Sequence, residues 1–267
     1  HLAQGDYYLT DHELEDLRVL ATLVEKIVIV INAGAPIDLT VLEAMPEVKA
    51  ILFMGQAGEE GGNACARILL GFVNPSAKLT ATWAKRYMDY PGAMDFSDVR
   101  AQLDEGNASD RDALLARSRY EEGIYVGYRY FDSFGVEPRY HFGHGLSYTS
   151  FVLTAEAPRA AADGLYIPVT VENTGNPYAG KEVVQVYAAC PQPAAISGAA
   201  GVKAAATDEP AETLATAAVD GGAGAEASAQ GAKVEAKEYK RLVAFRKTRL
   251  LAPGEQEAMT LHVDGRA

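Results

Sequence analysis

Two adjacent carboxylates, Glu59 and Glu60, lie in a glycine-rich loop and are the first residues that suggest acid–base chemistry. A pair of carboxyl groups can act as general acid and general base when both face one reacting bond. Side chains of neighbouring loop residues tend to diverge, however, and an acidic residue stabilises the N-terminus of a following helix. We favour this second interpretation, in which Glu60 caps or braces the next helix. The loop lacks the glycine spacing of a phosphate-binding motif.

A second charged pair, Glu122 and Arg129, lies seven positions apart in an aromatic stretch that extends to Phe131. Aromatic rings beside charged groups can line a sugar subsite, because the faces of pyranose rings stack on them. Such charged pairs are also common as purely structural ion pairs. We favour a structural ion pair here and keep the sugar subsite as the alternative.

Histidine and cysteine offer little support for a metal centre. His144 lies between two glycines and has no Asp, Glu or Cys nearby in the sequence, so we interpret it as a hydrogen-bonded structural residue. Cys65 and Cys190 are far apart, and Cys65 lies in an apolar helical run typical of a small buried hydrophobe. The absence of a disulfide framework favours a reducing compartment, and we expect a bacterial cytoplasmic protein.

Composition and charge exclude several classes of function. The chain has 267 residues, of which 48% are hydrophobic, enough for a sizeable core. A net charge of −12 argues against a nucleic-acid partner, which would require clustered lysines and arginines. No apolar run is long enough to span a bilayer, and we expect no membrane partner. The chain opens on His1 without a methionine, and both ends suggest a piece of a longer protein.

The first part of the chain alternates helical and strand patterns. Thr10 and Glu13 have the spacing of a capping box, and apolar residues then recur at helical intervals, at Leu14, Leu17, Leu20, Ala21 and Val24. Buried parallel strands are predicted at 27–31, covered on both faces, and at 48–54, with a third at 78–83. A helix over 63–70 follows the glycine-rich loop. We therefore predict a partial α/β sandwich domain over residues 1–147.

From residue 148 onward the pattern changes to short strands separated by turns. The predicted strands are 150–155, 165–172, 182–189, 240–250 and 257–263. They indicate a small antiparallel sandwich over residues 148–264. Residues 193–234 are rich in alanine and glycine and contain no aromatic residue, so we expect a disordered insertion there.

Several short motifs follow one another along the chain. They include residues 58–64 (Gly-Glu-Glu-Gly-Gly-Asn-Ala), 74–79 (Asn-Pro-Ser-Ala-Lys-Leu), 120–131 (Tyr-Glu-Glu-Gly-Ile-Tyr-Val-Gly-Tyr-Arg-Tyr-Phe) and 142–149 (Phe-Gly-His-Gly-Leu-Ser-Tyr-Thr). In this order they resemble the motifs of family 3 glycoside hydrolases, the β-glucosidase-like enzymes. Residues 171–175, 183–187 and 251–255 resemble the fibronectin type III-like domain of that family. The sequence departs from the family pattern at Gly55, Arg67, Ala77 and Thr80, none of which is a catalytic group.

The resemblance implies a retaining enzyme with an Asp nucleophile on a (β/α)₈ barrel and a Glu acid/base from the α/β sandwich domain. Retention requires two carboxyl groups about 5–5.5 Å apart. A barrel takes roughly 250 residues by itself, so this chain has no room for one. The acid/base of the family lies just upstream of a stretch matching residues 5–9 (Gly-Asp-Tyr-Tyr-Leu), and would therefore precede His1. We assign no catalytic residue and no metal ligand, and leave sugar-binding residues open.

The resulting expectation is an α/β unit followed by an all-β, fibronectin type III-like sandwich. The intact enzyme is expected to cleave β-glucosides or related β-glycosides from the non-reducing end without a cofactor, and this chain alone is expected to be inactive. Its partners would be the missing barrel and, through it, a carbohydrate; the position of the barrel and a homo-oligomeric state are left open. The main alternative is a stand-alone carbohydrate-binding or scaffold module, and a flavodoxin-like nucleotide-binding domain ranks last because no phosphate motif is present.

Overall fold

A computed structural model describes residues 7–93, 122–189 and 238–265. The chain forms two compact units, one from residues 1–73 and 77–145 and the other from residues 74–76 and 146–267. The predicted insertion at 193–234 and Cys190 lie outside the described residues. None of the described helices combines the length and the apolarity needed to cross a membrane.

Helix α1 (Asp11–Leu23) begins at the predicted capping box. The Thr10 hydroxyl accepts a hydrogen bond from the Glu13 backbone N–H at 3.2 Å, and the Glu13 carboxylate accepts one from the Thr10 N–H at 2.8 Å. The predicted apolar face is only partly covered. Leu17 packs against the core of the first unit, whereas Leu20 and Val24 are 44% and 45% exposed.

Strands β1 (Ile27–Ile31) and β2 (Val48–Phe53) pair in parallel, and helix α2 (Thr40–Ala44) lies between them in sequence. The expectation that β1 is covered on both faces is wrong. Ile27 and Ile31 are buried, but Val28 and Val30, on the opposite face of the strand, are 50% and 37% exposed. An uninterrupted β-branched run predicts the strand, but not how many of its faces are packed.

The predicted third strand at 78–83 does not join the parallel sheet. The segment pairs with a returning stretch of chain instead: Leu79 N–H donates to the His144 carbonyl at 2.7 Å, and Trp83 N–H donates to the Tyr140 carbonyl at 2.9 Å. Trp83 is buried, with its ring edge-on to Phe53 at 5.2 Å. Its neighbours in the core of the unit are Ile31, Leu39 and Leu42.

Among the described residues, the first unit also contains helices α3 (Gly61–Leu69) and α4 (Tyr128–Phe134) and a 3₁₀ turn at Tyr87–Asp89. Helix α3 begins two residues before the predicted start and ends one residue before the predicted end. Cys65 on this helix is half-buried.

The second unit consists of antiparallel strands. Its elements are β3 (Phe151–Ala155), β4 (Arg159–Ala161), β5 (Gly164–Asn173), β6 (Val183–Ala189), β7 (Lys240–Lys247) and β8 (Gln256–Asp264). Strand β5 is flanked by β3 and β4 on one edge and by β8 on the other, and β6 pairs with β7 in a separate sheet. The five predicted strands are present, but β7 ends at Lys247 rather than at residue 250, and β4 was not predicted.

The two sheets of the second unit share an apolar core. Its buried members are Val169, Val171, Val184, Leu251, Met259 and Leu261. At the end of β5, the fully buried Asn173 uses its whole side-chain amide in hydrogen bonds. The amide donates to the carbonyls of Tyr178 and Leu251 and accepts from the Thr149 hydroxyl and the Gly175 N–H. A single polar side chain thereby joins the residue stretch before β3, the loop after β5 and the segment between β7 and β8.

Candidate functional site

The first unit has a cleft at the carboxyl ends of its two parallel strands. The end of β2 is held beside β1 by a hydrogen bond of 2.8 Å from Met54 N–H to the Ile31 carbonyl. In parallel α/β sheets this edge is where ligands bind, because loops from neighbouring strands converge there. The cleft encloses about 590 Å³ and is lined by Asn32, Met54, Gln56, Ala57, Gly58, Gly61 and Gly62.

Tight packing beside this cleft accounts for two glycines, Gly34 and Gly61. A Cβ at Gly34 would lie 3.1 Å from Gln56 Nε2, and a Cβ at Gly61 would lie 2.9 Å from the Cβ of Ala57. The loop between β2 and α3 closes with a 3.1 Å bond from Gly61 N–H to the Gly58 carbonyl. Gly61 therefore serves the tight packing of the loop at the start of α3, whereas Gly58 is required by its positive φ of 69° and Gly62 faces open space.

The two loop carboxylates do not form an acid–base pair in this cleft. Glu60 is the N-cap residue of α3, but its side chain makes no capping bond to the helix backbone. It accepts a hydrogen bond from Asn63 Nδ2 at 2.6 Å, which braces the first turn as predicted. Glu59 is exposed, and no residue of the described chain bonds to it. The cleft lining carries two amide side chains, Asn32 and Gln56, and no carboxylate among the described residues.

Glu122 and Arg129 are not joined by an ion pair in the described residues, so the favoured interpretation of this pair is wrong. Both residues are half-buried. Gly127, at φ 57°, precedes α4 and turns the chain between them. The aromatic rings of this stretch pack on one another, with Tyr125 and Tyr130 each about 5 Å from Phe134 (5.0 and 5.1 Å). Sugar binding by this stretch stays a prediction.

His144 lies in the turn that pairs with residues 79–83. Its ring stacks on Tyr140 with centroids 4.6 Å apart, and its carbonyl accepts the Leu79 N–H. Beside it, Lys78 Nζ donates to the Gly145 carbonyl at 2.7 Å. No cluster of three or more His, Cys, Asp or Glu side chains suited to a metal ion occurs in residues 7–93, 122–189 and 238–265.

A polar cluster centred on Arg139 was not predicted from the sequence. The guanidinium donates to the Thr40 hydroxyl at 2.6 Å and forms a close ion pair with Glu43, which also accepts the Tyr140 hydroxyl at 2.7 Å. Burial and the neighbouring Glu43 carboxylate raise the pKa of Tyr140 to about 12. These contacts fasten α2 to the segment after α4. Nothing local in the sequence could reveal them, since the partners are 96 to 99 residues apart.

The two amides of the cleft were also missed, although a signal existed. Asn32 follows β1 directly, and Gln56 follows β2 by three residues. Polar residues just beyond buried parallel strands are candidates for a binding edge. The positions of Asn32 and Gln56 just beyond strand ends are therefore the sequence signal that identifies them.

Comparison with known proteins relates the chain to a family of glycosyl hydrolases. Residues 4–128 match the family described as "Glycosyl hydrolase family 3 C-terminal domain". Beta-glucosidase A of Butyrivibrio fibrisolvens is 36% identical over 206 residues, which cover 70% of this chain and 23% of that protein. A beta-glucosidase of Ruminococcus albus is 41% identical over 189 residues, which cover 70% of this chain and 18% of that protein.

Solved structures agree with the sequence comparison. A beta-glucosidase from Paenibacillus barengoltzii superposes with a TM-score of 0.73 at 30% identity, covering 98% of this chain and 23% of that one. Beta-glucosidase 3B from Thermotoga neapolitana in complex with glucose gives a TM-score of 0.70 at 32% identity, covering 98% of this chain and 30% of that one.

These beta-glucosidase structures match both the parallel α/β unit with its glycine-lined cleft and the unit of antiparallel sheets, over 98% of this chain. The chain belongs to glycoside hydrolase family 3. It spans 23% and 18% of the length of the two curated relatives named above.

Proposed function

We propose that this chain is the C-terminal α/β and fibronectin type III-like part of a retaining enzyme that cleaves β-glucosides or related β-glycosides from the non-reducing end. The observation that carries the proposal is the similarity to proteins named β-glucosidases, over 70% of this chain at 36% and 41% identity. The two compact units and the antiparallel sheets of the second support the two-part organisation; the units divide between residues 145 and 146, two residues before the predicted boundary between 147 and 148.

In the intact enzyme, the nucleophile that hydrolyses the glycoside would lie on a barrel domain, which this chain has too few residues to include. Retention needs a nucleophilic carboxylate and an acid/base carboxyl about 5–5.5 Å apart. The described lining of the cleft has amides and backbone groups instead, which suit the holding of sugar hydroxyls. The relatives are several times longer than the matched region, which leaves room for a barrel in the intact enzyme.

Two assays test the proposal. The 267-residue chain should release no p-nitrophenol from p-nitrophenyl β-glucoside above the buffer rate, and turnover by the pure chain would refute its assigned inactivity. The intact protein from its native source should hydrolyse the same substrate, and proton NMR should show the β-anomer of glucose first. An intact protein that binds cellobiose without hydrolysing it would instead favour the carbohydrate-binding module.

A further inference from the structure

Strands β7 and β8 are edge strands of two different sheets in the second unit, and a groove runs between them. The groove encloses about 400 Å³ and is lined by two runs of consecutive residues, 242–246 on β7 and 260–262 on β8. Consecutive residues alternate between the two faces of a strand, so a surface lined by unbroken runs lies along the strand edges. The groove therefore exposes backbone as well as side chains.

The β8 edge in this groove has hydrogen-bonding groups to offer. Thr260 lies opposite Pro168 of β5, and the Pro168 carbonyl accepts from Glu156 N–H at 3.0 Å on the other edge of β5. The pair Pro168–Thr260 is therefore a non-hydrogen-bonded pair, and Thr260 directs its N–H and C=O away from β5. By the two-residue period, Ala258 and His262 do the same. No strand in the described part of the chain pairs with this edge.

The β7 side of the groove supplies a wall, whose apolar side chains belong to both faces of the strand, and a positive charge. Leu242 and Ala244 are half-buried, and Phe245 is 71% exposed. Arg246 is exposed and forms no ion pair with any described residue. Its guanidinium is well suited to a carboxylate, with which it can form two parallel hydrogen bonds.

We propose that this groove binds an extended, acidic peptide strand by β-augmentation of β8. The backbone of the peptide would pair with Ala258, Thr260 and His262, its apolar side chains would contact the β7 wall, and a carboxylate would meet Arg246. A second copy of this chain fits the same edge less well. Pairing two β8 strands would bring two β7 strands together, each with its own exposed Arg246.

The test measures fluorescence anisotropy of two fluorescein-labelled peptides with the 267-residue chain at low salt. One is Glu-Val-Thr-Val-Thr-Val-Glu, and the other has Lys at both ends. The acidic peptide should bind saturably and at least about threefold more tightly than the basic one. Arg246→Glu should reverse this preference. The matched control Arg159→Glu, on β4 at the opposite edge of β5, should leave it unchanged.

A backbone variant separates strand pairing from simple charge attraction. Thr260→Pro removes an N–H that points into the groove and spares the β5 ladder, so it should keep the circular dichroism of the parent chain and weaken the peptide about three- to tenfold. An acidic peptide N-methylated at alternate residues gives the same test without changing the protein. The proposal would be overturned if neither peptide bound, or if both bound equally. It would also be overturned if backbone methylation left binding unchanged, or if sedimentation showed that the chain self-associates through the groove.

Discussion

Replacement of Asn173 offers the sharpest test of how the second unit is held together. The side chain is 0% exposed and makes four hydrogen bonds, of 2.6 to 3.2 Å. In Asn173→Ala, the Thr149 hydroxyl and the Tyr178 carbonyl lose the partner that the structure gives them. Leu251 and Gly175 keep second partners, the Gly180 N–H and the Ser150 carbonyl.

The expected change in the free energy of unfolding follows from the hydrogen bonds that are lost. A hydrogen bond contributes about 0.5–1.5 kcal/mol net, and a buried polar group left without a partner costs about 1–3 kcal/mol. Two groups lose their partner and two retain one, so Asn173→Ala should lower the free energy of unfolding by about 3 kcal/mol. The neighbouring Thr174 is exposed, and its hydroxyl has one long bond of 3.4 Å, so Thr174→Ala should change stability by less than about 0.5 kcal/mol.

Asn173→Asp adds a pH dependence with a definite sign. An aspartate would keep the acceptor oxygen but would turn its second oxygen toward the Leu251 and Tyr178 carbonyls. Burial and these carbonyls should raise the pKa of the new carboxyl above that of the unfolded chain, which is about 3.9. The folded state then binds more protons, so the loss relative to the parent chain should be small below about pH 4 and should grow as the pH rises through the folded-state pKa.

Urea unfolding followed by far-ultraviolet circular dichroism measures these differences, and hydrogen exchange of peptides from β5 and β8 assigns them to this unit. Trp83 fluorescence monitors the other unit, because the chain has one tryptophan and it lies there. A free energy of unfolding for Asn173→Ala within about 0.5 kcal/mol of the parent value would show that these four hydrogen bonds do not stabilise the unit. The same conclusion would follow if Asn173→Ala and Thr174→Ala lowered the free energy of unfolding equally. It would also follow if the destabilisation by Asn173→Asp did not decrease at acid pH.

Three further predictions concern backbone and capping. Thr10→Ala should cost about 1 kcal/mol and speed amide exchange in the first turn of α1. The N–H and hydroxyl of Thr10 lower the pKa of Glu13, so the part of the stabilisation that comes from the ionised Glu13 carboxylate should disappear as the pH falls through that lowered pKa. A Glu13 pKa at its ordinary value in the parent chain, measured by NMR, would contradict the capping box. Gly62→Ala should be neutral or should stabilise α3 by up to about 1 kcal/mol, because the added Cβ meets nothing within 4 Å. Gly61→Ala should lower the melting temperature, because its Cβ would lie 2.9 Å from the Cβ of Ala57. Equal melting temperatures of the two variants would contradict the tight packing of Gly61 against Ala57. Gly164 has φ +146°, and an added Cβ would lie 2.0 Å from the Val263 carbonyl oxygen. Gly164→Ala should therefore lower the free energy of unfolding in urea by about 2 kcal/mol or more. A neutral result would show that the start of β5 packs less closely against the end of β8 than the structure shows.

Local features of this protein were predictable from its sequence. The Thr10–Glu13 capping box involves residues three apart, so the sequence alone specifies both partners. Strands β5 and β8 were predicted within one residue at each end, because alternation and turn residues act within a few positions. The family was also readable, since its motifs occur in one order along the chain.

Other features were decided by which segments meet in three dimensions. Residues 78–83 have a strand-like pattern, yet they pair with residues 140–144 because backbone hydrogen bonds can be satisfied by any adjacent extended segment. The exposed side of β1 likewise depends on what packs against it and not on its β-branched residues. Arg139 finds Glu43 across 96 residues, and Asn173 finds the Leu251 carbonyl across 78. Dihedral preferences and periodicity act over a few residues, whereas the partners of buried polar groups are chosen by the packing of the whole unit.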